Sequence, residues 1–130
     1  MLKDMPTITD SSTMTDGPEL SKERLITCFK ALSDARRFSI FNMLMEGVQC
    51  NCEIAERLGV SLSLISYHLR ILNEVGLVEA ERDPHDARWI YYSINTEMLV
   101  DLREAISRLL HVGRIRPRQP SCGPKANDRC

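Results

Sequence analysis

The chain has 130 residues, 43% of them hydrophobic and 27% charged, which suits one compact domain with some chain to spare. No apolar run approaches the length of a membrane span, and the opening MLKDMPTITDSSTMTDGP lacks the features of a secretory signal, so a cytoplasmic protein with no membrane partner is expected. A formal net charge of −1 does not advertise nucleic-acid binding, but residues 1–20 set one lysine against four carboxylates while residues 113–130 set five cations against one.

Residues 1–17, rich in Ser, Thr, Asp and Met without periodicity, read as a flexible arm. Asp16-Gly17-Pro18-Glu19 has the form of a helix start, and Leu25, Cys28, Phe29 and Leu32 recur at helical spacing, predicting a first helix near 19–32. Ser33-Asp34 caps a second helix, with Phe38, Phe41, Leu44 and Met45 expected on its apolar side and Gly47 at its end. A short helix over 51–58 carries Ile54, Ala55 and Leu58; Gly59-Val60 breaks it, and Ser61 caps another that runs to about Leu72 and is closed by Gly76. A short helix, a glycine turn and a Ser-capped helix form the helix-turn-helix pattern.

Leu77–Arg82 and Ala87–Ile94 flank the turn-rich Asp83-Pro84-His85-Asp86, which predicts a β-hairpin. Asn95-Thr96 starts a last helix, with Met98, Leu102, Ala105 and Leu109 on one stripe and Leu99, Ile106 and Leu110 beside it. The expected fold is mainly α with a β-hairpin wing: a winged helix-turn-helix domain over 18–112, built as four helices, two strands and a fifth helix. The first and last helices are more apolar than one small domain requires, so a homodimer through them is expected. After Gly113 the chain turns to Pro, Arg and Gly and reads as a mobile basic tail over 113–130. That tail either adds to DNA affinity or is simply solvated.

Along the Ser61–Leu72 helix, Ile65, Leu69 and Leu72 fall on one side and should face the core. Ser63, Ser66, Tyr67 and Arg70 fall opposite, and hydroxyls, a phenol and a guanidinium suit base edges and phosphates. Ser61 and Leu62, at the helix start where free N–H groups attract phosphate, complete the set. Alone, such a face could be a solvated surface. The hairpin that follows, with Arg82, His85 and Arg88 at its tip, favours double-stranded DNA, because a cationic wing can straddle the backbone or enter the minor groove. His68 flanks the apolar side and is expected to be packed or locally hydrogen-bonded.

Five cysteines, an odd number, do not fit a secreted disulfide scaffold. Cys50 and Cys52 are one residue apart at a predicted helix start, where both thiols can turn toward one ion and helix N–H groups lower thiol pKa. Thiolates select soft ions: As(III) and Sb(III) accept a pyramidal set of sulfurs, and Cd(II) and Pb(II) also favour sulfur. Two thiolates without histidine neighbours make a poor zinc site. The plainer reading of the pair is two small buried side chains.

Leu32-Ser33-Asp34-Ala35-Arg36-Arg37-Phe38, Gln49-Cys50-Asn51-Cys52-Glu53-Ile54-Ala55, Gly59-Val60-Ser61 and Ser66-Tyr67-His68-Leu69-Arg70-Ile71-Leu72 resemble, in unbroken order, motifs of the ArsR/SmtB family of metal-responsive repressors. Gly76-Leu77-Val78 and Arg88-Trp89-Ile90-Tyr91-Tyr92-Ser93-Ile94 are similar to that family's wing. The resemblance spans roughly 20–112. It implies a homodimeric repressor of the arsenic-sensing type that is released from operator DNA when As(III) or Sb(III) binds cysteine thiolates. Some family members carry a third cysteine where this chain has Ala55, so a third sulfur would come from Cys122, or from Cys28 or Cys130, or solvent would fill the site. The family's zinc-sensing pattern on the last helix is missing. Rival readings are a Cd(II) or Pb(II) sensor, a repressor that senses oxidants or reactive sulfur, and a thiol metal-buffering protein without DNA binding. With no Gly-rich phosphate loop and no nucleophile–base arrangement, an enzyme is not expected.

Overall fold

The computed structural model describes residues 19–126. Its elements run α1 (Lys22–Leu32), α2 (Ala35–Leu44), β1 (Gln49–Cys50), α3 (Asn51–Leu58), α4 (Leu62–Glu74), β2 (Val78–Arg82), β3 (Ile90–Ile94) and α5 (Thr96–Leu109), followed by 3-10 turns at Val112–Arg114 and Pro124–Ala126.

Helices α1, α2, α4 and α5 each begin where a side-chain oxygen accepts from an orphan N–H, while α3 begins at Cys50, which offers none. Ser21 caps α1 through Arg24 N at 3.1 Å, so the helix starts later than the Asp16-Gly17-Pro18-Glu19 pattern suggested; residues 16–18 of that pattern lie outside the described residues. Asp34, Ser61 and Asn95 cap α2, α4 and α5 as expected. Gly59, in the left-handed conformation at φ 68°, ends α3 and turns the chain into α4, a geometry that costs glycine little.

The wing is a three-stranded antiparallel sheet in the order β1-β3-β2, not a lone hairpin. β2 pairs with β3 from Val78↔Ile94 to Arg82↔Ile90, while Gln49 and Cys50 pair with Tyr92 and Tyr91. A two-residue strand carries no alternation to read, and so β1 escaped the sequence pattern. β3 is also shorter than expected: the Asp86 carboxylate accepts from Arg88 N, and Trp89 N donates to the Asp86 carbonyl, so residues 87 and 88 turn, and the Trp89 carbonyl accepts the last cross-hairpin bond from Asp83 N at 2.9 Å.

Cys28, Ile40, Ile54, Ile65, Leu69, Leu72, Leu77 and Val78 form the centre of the core, with Met98 and Leu102 of α5 closing it. On α2 the inward residues are Ile40, Met43 and Leu44; Phe38 and Met45, expected inside, are each 54% exposed. This rotation puts Ile40, Met43 and Leu44 in the core, and on the same side Arg37 Nε donates to the Ala31 carbonyl at 2.7 Å, while Phe38 stays outside. Leu109 and Leu110 at the end of α5 are 42% and 69% exposed. Among the described residues no helix is long and apolar enough to cross a membrane.

Candidate nucleic-acid interface and thiol site

The α4 helix presents the face that its periodicity predicted. Ile65, Leu69 and Leu72 are buried, whereas Leu62, Ser63, Tyr67 and Arg70 are exposed. With Ser66 they line an open groove of about 540 Å³. The Arg70 guanidinium lies 5.3 Å from the centroid of the Tyr67 ring, a cation–π contact that holds both groups while leaving every guanidinium N–H available to an acceptor. Ser61 Oγ is occupied, accepting from Leu64 N at 3.1 Å, so this residue serves as the helix cap.

His68 is buried, as its place on the helix suggested. Its Nδ1 lies 3.2 Å from an Arg37 guanidinium nitrogen. Arginine offers only donors, so Nδ1 must accept and the ring proton sits on Nε2. Burial pushes the imidazole pKa down, with the Asp34 carboxylate opposing and the Arg37 and Arg36 charges assisting. The residue joins α2 to α4 and takes no position on the outer face.

The wing is less cationic than its three basic residues implied. Arg88 forms a two-pronged pair with Asp86, at 3.0 and 2.8 Å. Arg82 donates to the Ala87 carbonyl at 2.6 Å, and the backbone N–H of His85 donates to Asp83 at 2.7 Å. Asp83 and Asp86, which read in the sequence as turn formers, thus also temper the charge of the tip.

Cys50 ends β1 and caps α3; Cys52 lies in the first turn of that helix. Their Sγ atoms are 3.2 Å apart, Cys50 buried and Cys52 exposed. The strand holds Cys50 from behind. Buried Gln49 donates to the Met43 carbonyl at 2.6 Å and accepts from Arg57 at 3.2 Å, while Glu53 accepts from Cys50 N at 2.9 Å. The expected acidity of this thiol is not found. Burial pushes the Cys50 thiol up, the hydrogen bond with Cys52 adds to that, and the Glu53 backbone N–H only partly opposes them.

Cys28 is completely buried in α1 against the core, which fits a packing role. Cys122 is exposed in the segment after α5, and Cys130 lies outside the described residues. Among the described residues no three His, Cys, Asp or Glu side chains gather closely enough to hold an ion, so Cys122 does not join Cys50 and Cys52 here.

Two residues that the sequence pattern passed over tie these sites together. Asn51, between the two cysteines, donates through Nδ2 to Ser66 Oγ at 3.3 Å. Ser66 is therefore only half exposed, and the head of α3 is bonded to the outer face of α4. Trp89 stands at the tip end of the wing ladder, its carbonyl accepting from Asp83 N at 2.9 Å, and lines a groove with Cys52, Asn51, Leu62 and Arg88. Neither has a sequence signal beyond its neighbours: Asn51 is notable only as the spacer of C-x-C.

A family model described as the bacterial regulatory protein, arsR family, matches residues 34–80. The transcriptional repressor SdpR of Bacillus subtilis is 38% identical over 73 residues, which cover 56% of this chain and 78% of that protein. The chain belongs to the ArsR family. The arsenical resistance operon repressor of Bacillus subtilis is 37% identical over 70 residues, 53% of this chain and 64% of that protein. An ArsR-like transcriptional regulator from Rhodococcus sp. RHA1 shares the fold at a TM-score of 0.59 and 32% identity, covering 67% of this chain and 79% of that one. The stretch matched to the ArsR model takes in α2, the thiol pair, α3 and all of α4. The fold is thus the winged helix-turn-helix of ArsR-family transcription regulators.

Proposed function

We propose that this ArsR-family protein is a thiol-gated repressor that acts in the cytoplasm. As a homodimer it holds double-stranded operator DNA, and it lets go when As(III) or Sb(III) binds Cys50 and Cys52. Leu62, Ser63, Tyr67 and Arg70 read the major groove, with Ser66 set by Asn51 and Arg82, His85 and Arg88 carried on the wing. One observation carries the reading: two sulfurs 3.2 Å apart at the head of α3, with the residue between them bonded to the reading helix. Closing both sulfurs on one ion changes the backbone around Asn51, and Ser66 on α4 is the first group to feel it. The resemblance of residues 34–80 to the arsR family and the arsenical repressor's similarity support the same assignment.

An inorganic ion of this kind takes a pyramidal set of sulfurs, so a third donor is required. Cys122 is the proposed source, from the same or the partner subunit, with Cys130 as the other tail candidate; Cys28 is sealed in the core. The dimer surface is an open groove of about 620 Å³ between α1 and α5, whose apolar floor includes Leu20, Leu25, Ala105 and Leu109. A second copy covers it in this reading.

Linkage sets the terms of the test. An ion that weakens DNA binding must itself be bound less well by the DNA complex, by the same factor, typically about 5–150-fold. Operator affinity measured by fluorescence anisotropy should fall on addition of arsenite or antimonite, and Cys50→Ser/Cys52→Ser should abolish the fall. Parallel titrations with Cd(II), Pb(II) and, under chelation, an oxidant decide which signal the thiols take. A response to arsenite that survives loss of both cysteines would overturn the assignment.

A further inference from the structure

We infer that the basic segment after α5, from Arg114 to Lys125, is a second DNA contact: an extended arm that holds the phosphates of duplex DNA whatever their sequence. This rests on the reading of the protein as a DNA-bound repressor, and it adds a contact surface outside the winged helix-turn-helix domain.

Residues 19–112 carry eleven lysines and arginines against fourteen carboxylates, so the domain that must approach a polyanion is itself acidic. Several of its cations are engaged besides: Arg88 pairs with Asp86, Arg57 with Glu46 and Arg108 with Glu19, while Arg37 donates to the Ala31 carbonyl. Residues 113–125 carry Arg114, Arg116, Arg118 and Lys125 and not one carboxylate. Among the described residues no acidic side chain pairs with any of these four. Affinity for duplex DNA of any sequence comes from cations that displace its condensed counterions, and this segment is where the chain concentrates them.

The backbone presents these cations well. A 3-10 turn at Val112–Arg114 leads off the end of α5, fastened where Arg114 Nη1 donates to the Leu109 carbonyl. Beyond it the chain is extended: Ile115 has φ −69° and ψ 128°, close to polyproline II, and Pro117 and Pro120 fix their own φ and keep a helix from forming. Every residue from Arg114 to Cys122 is exposed. A chain already held extended by prolines gives up less conformational freedom on binding than a free coil does. At about 3.1 Å per residue, Ile115 to Cys122 reaches about 25 Å, the rise of about seven base pairs. Arginine on every second position from 114 to 118 offers three planar forks, the donor geometry that matches phosphate oxygens. With no side-chain amide beyond Gln119 and no aromatic ring to stack or wedge, the segment is built for backbone contact and not for reading bases.

The test measures binding of the full chain to a labelled duplex of about thirty base pairs of arbitrary sequence, by fluorescence anisotropy over a salt series. It compares the native protein with Arg114→Ala/Arg116→Ala/Arg118→Ala and with Arg114→Lys/Arg116→Lys/Arg118→Lys. Each phosphate contact contributes about 0.9 to the slope of log K against log salt, so the alanine variant should show a slope shallower by at least about two and bind at least about tenfold more weakly at low salt. The lysine variant keeps the charge and should stay within about one of the native slope. On a duplex taken from upstream of the protein's own coding sequence the alanine variant should lose the same factor, leaving the preference for that duplex over the arbitrary one unchanged. If the alanine variant binds the arbitrary duplex with native affinity and slope, or more tightly, the arm is overturned while α4 and the wing stand as the DNA face. Arginine-dependent binding to vesicles of anionic phospholipid, with duplex binding unaltered, would overturn it in favour of a membrane surface. If the native protein binds neither duplex, the repressor reading itself falls.

Discussion

His68 and Asn51 show how single side chains couple the two halves of this domain. His68 is neutral in the fold because Nδ1 accepts from Arg37 and burial disfavours the imidazolium. Its folded pKa therefore lies below the ordinary 6.5. Above pH 6.5 both folded and unfolded chains hold it neutral, and it adds no pH dependence. Below that value the unfolded chain takes up a proton that the folded one refuses, so stability falls as the pH drops toward the folded pKa. The slope for one such group is at most about 1.4 kcal/mol per pH unit. Urea unfolding at pH 7 and pH 5 should show a smaller acid loss for His68→Gln than for the native protein, and equal losses would contradict this account. Asn51 bears instead on the proposed function, through its bond to Ser66. A net hydrogen bond is worth about 0.5–1.5 kcal/mol, so Asn51→Ala should cut the arsenite-induced drop in operator affinity by roughly 2–10-fold. Arsenite affinity in the absence of DNA should change little. Anisotropy titrations that show undiminished coupling would remove Asn51 from the path.

At the scale of elements, α4 and the wing offer cations of different standing. Among the described residues Arg70 rests on Tyr67 with no carboxylate partner, whereas Arg88 must leave Asp86 before it can meet phosphate. Arg70→Ala should therefore weaken operator binding by roughly tenfold or more, with a salt slope shallower by about one if its contact is to phosphate. Arg88→Ala should cost less than about threefold, and the reverse order in salt-dependent titrations would show that the wing is the stronger contact. The α4 face was legible in the sequence because a 3.6-residue period is unambiguous over thirteen residues with Ile65, Leu69 and Leu72 on one side. The α2 face was not. Phe38, Phe41, Leu44 and Met45 make one good helical stripe and Ile40, Met43 and Leu44 another, and the choice between them is made by packing against the other elements of the core, with the Arg37 bond to the Ala31 carbonyl on the chosen side. The wing charges misled for a related reason. Asp83 and Asp86 were read as turn residues, and their second use as partners depends on the turn they build.

For the whole molecule, Ile26 and Phe29 of α1 and Leu109 and Leu110 at the end of α5 are apolar residues that the described chain leaves exposed. The proposed homodimer through these helices predicts that Leu109→Glu/Leu110→Glu shifts the protein from dimer to monomer in sedimentation equilibrium and lowers operator affinity, since a half-site alone offers half the contacts. A dimer that survives both charges would place the interface elsewhere.

Local order along the chain determined a good deal by itself: five helices, their caps at Asp34, Ser61 and Asn95, the glycine turn at Gly59, the exposed polar face of α4, and a thiol pair at a helix head. Those features are set by interactions within a few residues, which is the range over which periodicity and capping act. The tertiary structure alone decided the rest. β1 exists because β3 offers its edge to Gln49 and Cys50; Cys50 is raised in pKa because that strand buries it. Asn51 meets Ser66 across fifteen residues of chain, and Trp89 comes to line one groove with Cys52 across thirty-seven. Contacts at such separations come from packing one element on another, and no local pattern encodes them.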